Sequence, residues 1–232
     1  KVHIQKFGAQ TKMEVSYSYL GEQFANCEPI LDDIRKLVKS GDFTLGKELT
    51  KFEASFSTFI KAKHGIGVGT GTDALRLSLI ALGVGPGDEV ITAANTFFAT
   101  AGAIATVGAK PVFVDVGDDY NIDPDKMEAA ITSKTRALMP VHLNGCPADM
   151  EAIMPISRKH NLPVVEDACQ AIGAEINGKK AGSFGITGNF SFHPLKPINV
   201  WGDGGMVVTS SDKINEKLLL LRNHGLKNRD EC

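Results

Sequence analysis

Little in the chain of 232 residues ties it to an oxidising compartment, a membrane or a nucleic acid. Its four cysteines, Cys27, Cys146, Cys169 and Cys232, share no C-x-x-C spacing. The expectation is reduced thiols in a cytoplasmic protein, with neither a disulfide frame nor a metal site. No apolar run approaches the ~20 residues that span a bilayer, and no leader is expected. Lys and Arg never run beyond a pair and the net charge is −2. That excludes the basic patch through which nucleic-acid-binding proteins gain affinity. Internal repeats and low-complexity segments are also missing.

What is present is ordinary globular material, 43% hydrophobic and 22% charged, enough for one large domain or slightly more. The chain opens on Lys1 rather than Met and closes on Cys232, just after a helix-like pattern from Asp212 to Gly225. The expectation is a fragment lacking residues at both ends. Residues 1 to about 26 read as a polar arm. Helical spacing of Ile30, Leu31, Ile34, Leu37 and Val38 predicts an amphipathic helix over 29–40, stopped by Gly41. A second helix is predicted from 47 to about 61.

From there short apolar runs alternate with helix-length segments. Strands are predicted at 65–68, 89–93, 111–115, 136–141 and 163–166, with helices at 72–82, 97–107, 124–131 and 149–160. Two more strands, 186–192 and 205–209, precede a helix at 213–222. This alternation belongs to a three-layer α/β/α fold with a mostly parallel mixed sheet. We divide the chain into an arm and helix, 1–44, and a large domain, 45–232. In such sheets ligands sit beyond the carboxyl ends of the strands, so the residues that follow each strand are the candidates.

Gly69-Thr70-Gly71-Thr72-Asp73-Ala74-Leu75 follows the first of these strands and opens a helix. Glycines admit an anion to the backbone, and the helix start favours phosphate. The same residues also suit a capped turn with no ligand, and they match neither a Walker A loop nor G-x-G-x-x-G. Asn95-Thr96-Phe97-Phe98 follows the second strand. Phe97 can stack on an aromatic ring or fill the core, and Phe98 is expected in the core. Asp167 closes an apolar strand, where a carboxylate needs a partner; a ring nitrogen cation and a helix N-cap both suit it. Glu166 should face the other way, since strand side chains alternate. Gln170 can donate to a ring oxygen or satisfy backbone.

In Ser191-Phe192-His193-Pro194-Leu195-Lys196, Ser191 can hold a phosphate oxygen and Lys196 can form an imine with a carbonyl. A strand-end hydroxyl and a loop lysine are the plain alternatives. His193 reads as a packing or orienting residue. His142 and Asn144 follow another strand and are expected toward the pocket with less weight. Together the strand ends supply a phosphate cradle, an aromatic stacker, a carboxylate and an amine. That is the inventory for an aromatic, phosphorylated carbonyl cofactor, pyridoxal 5′-phosphate.

The chain resembles the DegT/DnrJ/EryC1/StrS sugar aminotransferases, a branch of the aspartate-aminotransferase-like fold. The resemblance runs from about Gly41 onward. It is carried by Gly71-Thr72-Asp73-Ala74-Leu75, Gly85-Pro86-Gly87-Asp88-Glu89-Val90, Thr96-Phe97, Val141-His142-Leu143, Glu166-Asp167-Ala168-Cys169-Gln170, the run ending at Lys196, Gly202-Asp203-Gly204-Gly205 and Leu221-Arg222-Asn223-His224-Gly225. It implies an internal aldimine on Lys196, which also shuttles the proton as base, and Asp167 on the pyridinium nitrogen. It further implies Gln170 at the phenolic oxygen side, Phe97 on the ring face, and Ser191 with the backbone of Gly71, Thr72 and Asp73 at the phosphate. The implied reaction moves an amino group from glutamate to a nucleotide-linked keto-sugar by ping-pong transamination. A homodimer with the site between subunits and a small C-terminal domain beyond this chain are implied as well. Pro197 departs from the Asn common after the lysine. A sugar dehydratase of the same fold, in which histidine replaces the lysine, and a non-catalytic protein with this fold are the competing readings.

Overall fold

A computed structural model describes residues 2–4, 13–227 and 231. The chain divides into two units, Lys1–Lys47 and Glu48–Cys232. In the first, β1 (Val2–Ile4) pairs antiparallel with β2 (Met13–Val15). A single turn, α1 (Leu20–Gln23), leads into α2 (Glu28–Ser40). Pro29 in the first turn of α2 removes an amide that would lack a partner anyway. Gly41 ends the helix at φ 69°, a left-handed conformation that costs glycine little. No residue of α2 is buried, and Ile30, Ile34 and Val38 of its apolar stripe are exposed.

The second unit carries the sheet. After α3 (Lys47–Ile60) come β3 (His64–Val68), α4 (Gly71–Ala81), β4 (Glu89–Ala93), α5 (Phe98–Thr106), β5 (Lys110–Val114), α6 (Pro124–Ala129) and β6 (Thr135–Met139). Then follow α7 (Met150–His160), β7 (Val165–Asp167), the short strands β8 (Glu175–Ile176) and β9 (Lys179–Lys180), β10 (Thr187–Ser191), β11 (Gly205–Thr209) and α8 (Asp212–Leu221). The strands lie in the orders β3-β11-β10-β7 and β5-β4-β6. Parallel bridges Leu138↔Val164 and Val141↔Asp167 set the β6 side against the β7 side. β11 runs antiparallel to both its neighbours, while β7–β10, β4–β5 and β4–β6 are parallel. The expected mixed, mostly parallel sheet is therefore present.

Alternation along the central strands builds the two outer layers. Val90, Ala137 and Val165 pack with Leu75 and Leu79 of α4 and Ile104 of α5. Their neighbours Ile91, Leu138 and Val164 pack with Met150 and Ile153 of α7. Toward the other edge, Ile66 and Val207 meet α4 and α8, while Phe190, Met206 and Val208 meet Phe56 and Ile60 of α3. Both faces are covered, so every residue of β4, β7, β10 and β11 is buried.

Several boundaries differ from the sequence expectation. The strand expected at 163–166 is Val165–Asp167, so Asp167 is its last residue rather than the first one past it. The hairpin β8–β9 was not anticipated. Asn177 and Gly178 make its turn with φ of 50° and 77°, which is Asn-Gly turn chemistry. Phe98, expected in the core, is 77% exposed. The buried side of α5 runs through Thr100, Ala103 and Ile104. Phe98 stands two residues before Thr100, roughly 200° around the helix and so away from that side.

Candidate functional site

β3, β7 and β10 all end on one edge of the sheet, and the candidate residues collect there. Thr70 caps α4: its Oγ1 accepts from the Asp73 amide at 2.9 Å and donates to Asp73 Oδ2 at 3.1 Å. Arg76 holds the other Asp73 oxygen at 3.1 Å, and the Ala74 amide donates to the Thr70 carbonyl at 3.0 Å. With the Asp73 amide and side chain both engaged in this cap, the helix presents Gly71 and Thr72 as amide donors. Asp73 shapes the turn. Thr72 is exposed, with its hydroxyl on the first turn of α4.

Close packing explains the glycines. A Cβ on Gly71 would lie 2.7 Å from Ser191 Cβ and 2.8 Å from Cys169 Sγ. A Cβ on Gly205, the first residue of β11, would lie 2.3 Å from the Thr70 carbonyl oxygen. The start of α4 is thus pressed directly onto the end of β10. Ser191 is buried there, its Oγ accepting from the His193 amide at 3.3 Å.

Asp167 pairs with Asn189, two residues before Ser191, in the parallel β7–β10 ladder. It is 5% exposed. Oδ2 accepts from the Thr100 hydroxyl at 2.8 Å and Oδ1 from the Cys169 amide at 3.2 Å. Glu166 points to the opposite face, as strand alternation requires. Its carboxylate takes the amides of Gly182 and Phe184, each at 2.7 Å, the Gly185 amide, and His142 Nε2 at 3.0 Å. His142 Nδ1 accepts from the Ala148 amide at 3.0 Å, which places the ring proton on Nε2. The histidine expected toward the pocket therefore lies inside the protein as Glu166's partner.

Gln170 accepts the Asn144 amide on Oε1 at 3.0 Å. That bond fixes the side-chain amide and leaves its NH₂ as the outward donor. Asn144 itself is exposed, at φ 52°. Lys196 is half-buried, in a turn closed by its amide on the His193 carbonyl at 2.8 Å and by Asn199 Nδ2 on its own carbonyl at 3.2 Å. Its Nζ stands 6.0 Å from the centroid of the Phe97 ring. Phe97 is 53% exposed at the N-cap of α5, its ring tilted 43° against that of Phe98 with centroids 4.2 Å apart, so it is a surface aromatic and no core residue.

Cys169 joins these parts. Burial first, then the Asp167 charge, pushes its thiol well above the ordinary 9.0, while the Lys196 ammonium pulls the other way. One thiol thus senses both the carboxylate and the amine. The structure brings Gly71, Ser191, Cys169, Asp167 and Thr100 together, with Lys196 and Phe97 facing each other alongside. Sequence reasoning passed over Thr100, Cys169 and the Glu166–His142 pair. A hydroxyl or thiol inside an otherwise apolar stretch is the only signal of Thr100 and Cys169; strand alternation, which turns Glu166 away from Asp167, is the signal of the pair.

The family model for the DegT/DnrJ/EryC1/StrS aminotransferase family matches residues 26–232. The chain belongs to this family. A pleiotropic regulatory protein of Geobacillus stearothermophilus is 51% identical over 217 residues, 93% of this chain and 58% of that protein. UDP-N-acetyl-3-dehydro-alpha-D-glucosamine 3-aminotransferase of Acidithiobacillus ferrooxidans is 51% identical over 199 residues, 85% of this chain and 54% of that protein. The crystal structure of NtdA from Bacillus subtilis with bound cofactor PMP matches at TM-score 0.85 and 36% identity, covering 93% of this chain and 50% of that one. The chain spans about half the length of the relatives it matches. Among the described residues, no helix is long and apolar enough to cross a membrane.

Proposed function

We propose that this chain is the cofactor-binding part of a pyridoxal-phosphate-dependent aminotransferase. It would move an amino group from an amino acid, glutamate by family resemblance, to a nucleotide-linked keto-sugar in two ping-pong half-reactions. The observation that carries the proposal is the sheet edge itself. A buried carboxylate at Asp167, a cradle at Gly71 and Ser191 too tight for a Cβ, and the amine of Lys196 all open on one side. Relatives named as a sugar-nucleotide aminotransferase and a PMP-bound protein supply the substrate class and the cofactor class.

The residues fit the cofactor one group at a time. Gly71 and Thr72 amides, the Thr72 hydroxyl and Ser191 would hold the phosphate at the positive end of α4. Asp167 would keep the ring nitrogen protonated, and the Gln170 NH₂ would donate to the phenolic oxygen. Phe97 would lie on the ring face. When bound, the cofactor supplies an electron sink for a carbanion at the amino-bearing carbon. Lys196 would carry the carbonyl carbon in the resting protein and, once displaced, take and return the substrate proton as an amine base. A homodimer, a cytoplasmic location and the assignment of 45–232 to the large domain belong to the same proposal.

Lys196 separates this reading from the dehydratase branch, in which histidine stands at that position. The regulatory name of one relative does not displace it, since both the lysine and the carboxylate are present. To test it, pyridoxal phosphate is added to the purified protein, borohydride is applied and the modified peptide is mapped. The expected label sits on Lys196, and Lys196→Ala shows neither the label nor the visible band. A variant spectrum identical to the parent's would overturn the proposal.

A further inference from the structure

Thr100 is the one hydroxyl on the buried side of α5, and it is 1% exposed. Its Oγ1 lies 2.8 Å from Asp167 Oδ2 and 2.7 Å from Thr96 Oγ1. A hydroxyl has a single proton to give. A carboxylate only accepts, so Thr100 donates to Asp167. The contact with Thr96 then has one possible direction, with Thr96 donating and Thr100 accepting. The chain of donors runs Thr96 to Thr100 to Asp167. Because Oδ1 takes the Cys169 amide at 3.2 Å, two elements grip the two carboxylate oxygens, and each oxygen keeps a further lone pair.

Packing alone does not ask for this residue. The other buried positions of α5 are Ala103 and Ile104, and a valine at 100 would fill the same space. A buried hydroxyl is costly without a partner, and Thr100 has two. The titratable groups around Asp167 are few. Cys169 and Lys196 lie on its own side, Glu166 and His142 are closed on each other across β7, and α5 carries none.

We infer that Thr100 is a positioning residue: its hydroxyl, oriented by Thr96, fixes the Asp167 carboxylate so that a lone pair faces the cofactor's ring nitrogen. The inference rests on the pyridoxal-phosphate reading and deepens it. Without the donor, one of the two grips on the carboxylate is gone, its lone pair is no longer held on the ring nitrogen, and the ring proton is held less firmly. The bound ring becomes less electron-poor, and the pH at which its visible spectrum changes moves upward.

The test uses Thr100→Val, Thr100→Ser and Thr96→Val with added pyridoxal phosphate, reading dissociation constant and the pH midpoint of the visible band. Thr100→Val is expected to bind roughly tenfold more weakly, as for one lost hydrogen bond to a charged group. Its midpoint should rise by about half a pH unit or more. Thr100→Ser should match the parent. Thr96→Val keeps the Thr100–Asp167 contact and should show a smaller shift of the same sign, which carries the test if Thr100→Val does not fold. Variants that lose thermal stability yet titrate and bind like the parent overturn the inference and make Thr100 a packing residue. A parent that gives no visible band with pyridoxal phosphate sinks the cofactor reading itself, and this inference with it.

Discussion

Glu166 and His142 meet inside the protein with neither side chain reaching solvent, Oε2 standing 3.0 Å from Nε2. Three amides of residues 182–185 converge on the same carboxylate, and the far ring nitrogen of His142 takes the Ala148 amide. One side chain thus ties together the segment after β6, the end of β7 and the approach to β10.

Removing that side chain strands several buried donors at once. Each unsatisfied group costs about 1–3 kcal/mol, so Glu166→Ala should lose about 4 kcal/mol or more of stability, in the upper tail for single substitutions. Urea unfolding of parent and variant measures it. A loss under about 1 kcal/mol would show that water or rearranged backbone replaces the carboxylate.

Gly71→Ala sets two effects against each other. Alanine in a helix gains about 0.5–1 kcal/mol over glycine. The new methyl would lie 2.7 Å from Ser191 Cβ and 2.8 Å from Cys169 Sγ, and overpacking of this kind costs about 1–3 kcal/mol. Strain wins, because Ser191 is held in the backbone of β10 and the Cys169 amide is tied to the Asp167 carboxylate. The expected outcome is a lower urea midpoint together with weaker binding of pyridoxal phosphate in an absorbance titration. A more stable variant would mean that the cradle is looser than its geometry.

Cys169 and Cys146 should differ sharply toward an alkylating agent. Cys146 is exposed, whereas burial and the Asp167 charge hold the Cys169 thiol well above 9.0. At pH 8 iodoacetamide should label Cys146 first and leave Cys169 as the unreactive thiol. The linkage has a definite sign. Above the ordinary thiol value the unfolded chain loses a proton that the folded chain keeps, so stability falls as pH climbs past 9.0. Cys169→Ala should flatten that fall in urea midpoints taken between pH 8 and 10. Equal labelling of both cysteines in the folded protein would contradict the assignment.

Legibility in the sequence followed the strength of the local pattern. The bounds expected for β4 match the observed ones because β-branched Val90, Ile91 and Thr92 follow the Gly85-Pro86-Gly87 turn signal. β8–β9 escaped despite Asn177-Gly178, since Glu175, Lys179 and Lys180 offer no alternation to mark two-residue strands. Lys196 stood out because a lysine between apolar and glycine-rich segments is unusual. Thr100 did not, because a threonine among alanines reads as filler until the fold lays α5 across β7. The error over Phe98 came from reading residue type without its angle around the helix.

β7 is only three residues long and sets two acids side by side, Glu166 and Asp167. Strand faces alternate residue by residue, so sliding β7 by a single position would exchange the two carboxylates. The ring and three amides that clasp Glu166 permit one alignment alone. They act as a register pin, and the chemistry proposed for Asp167 depends on a neighbour that would never touch a ligand.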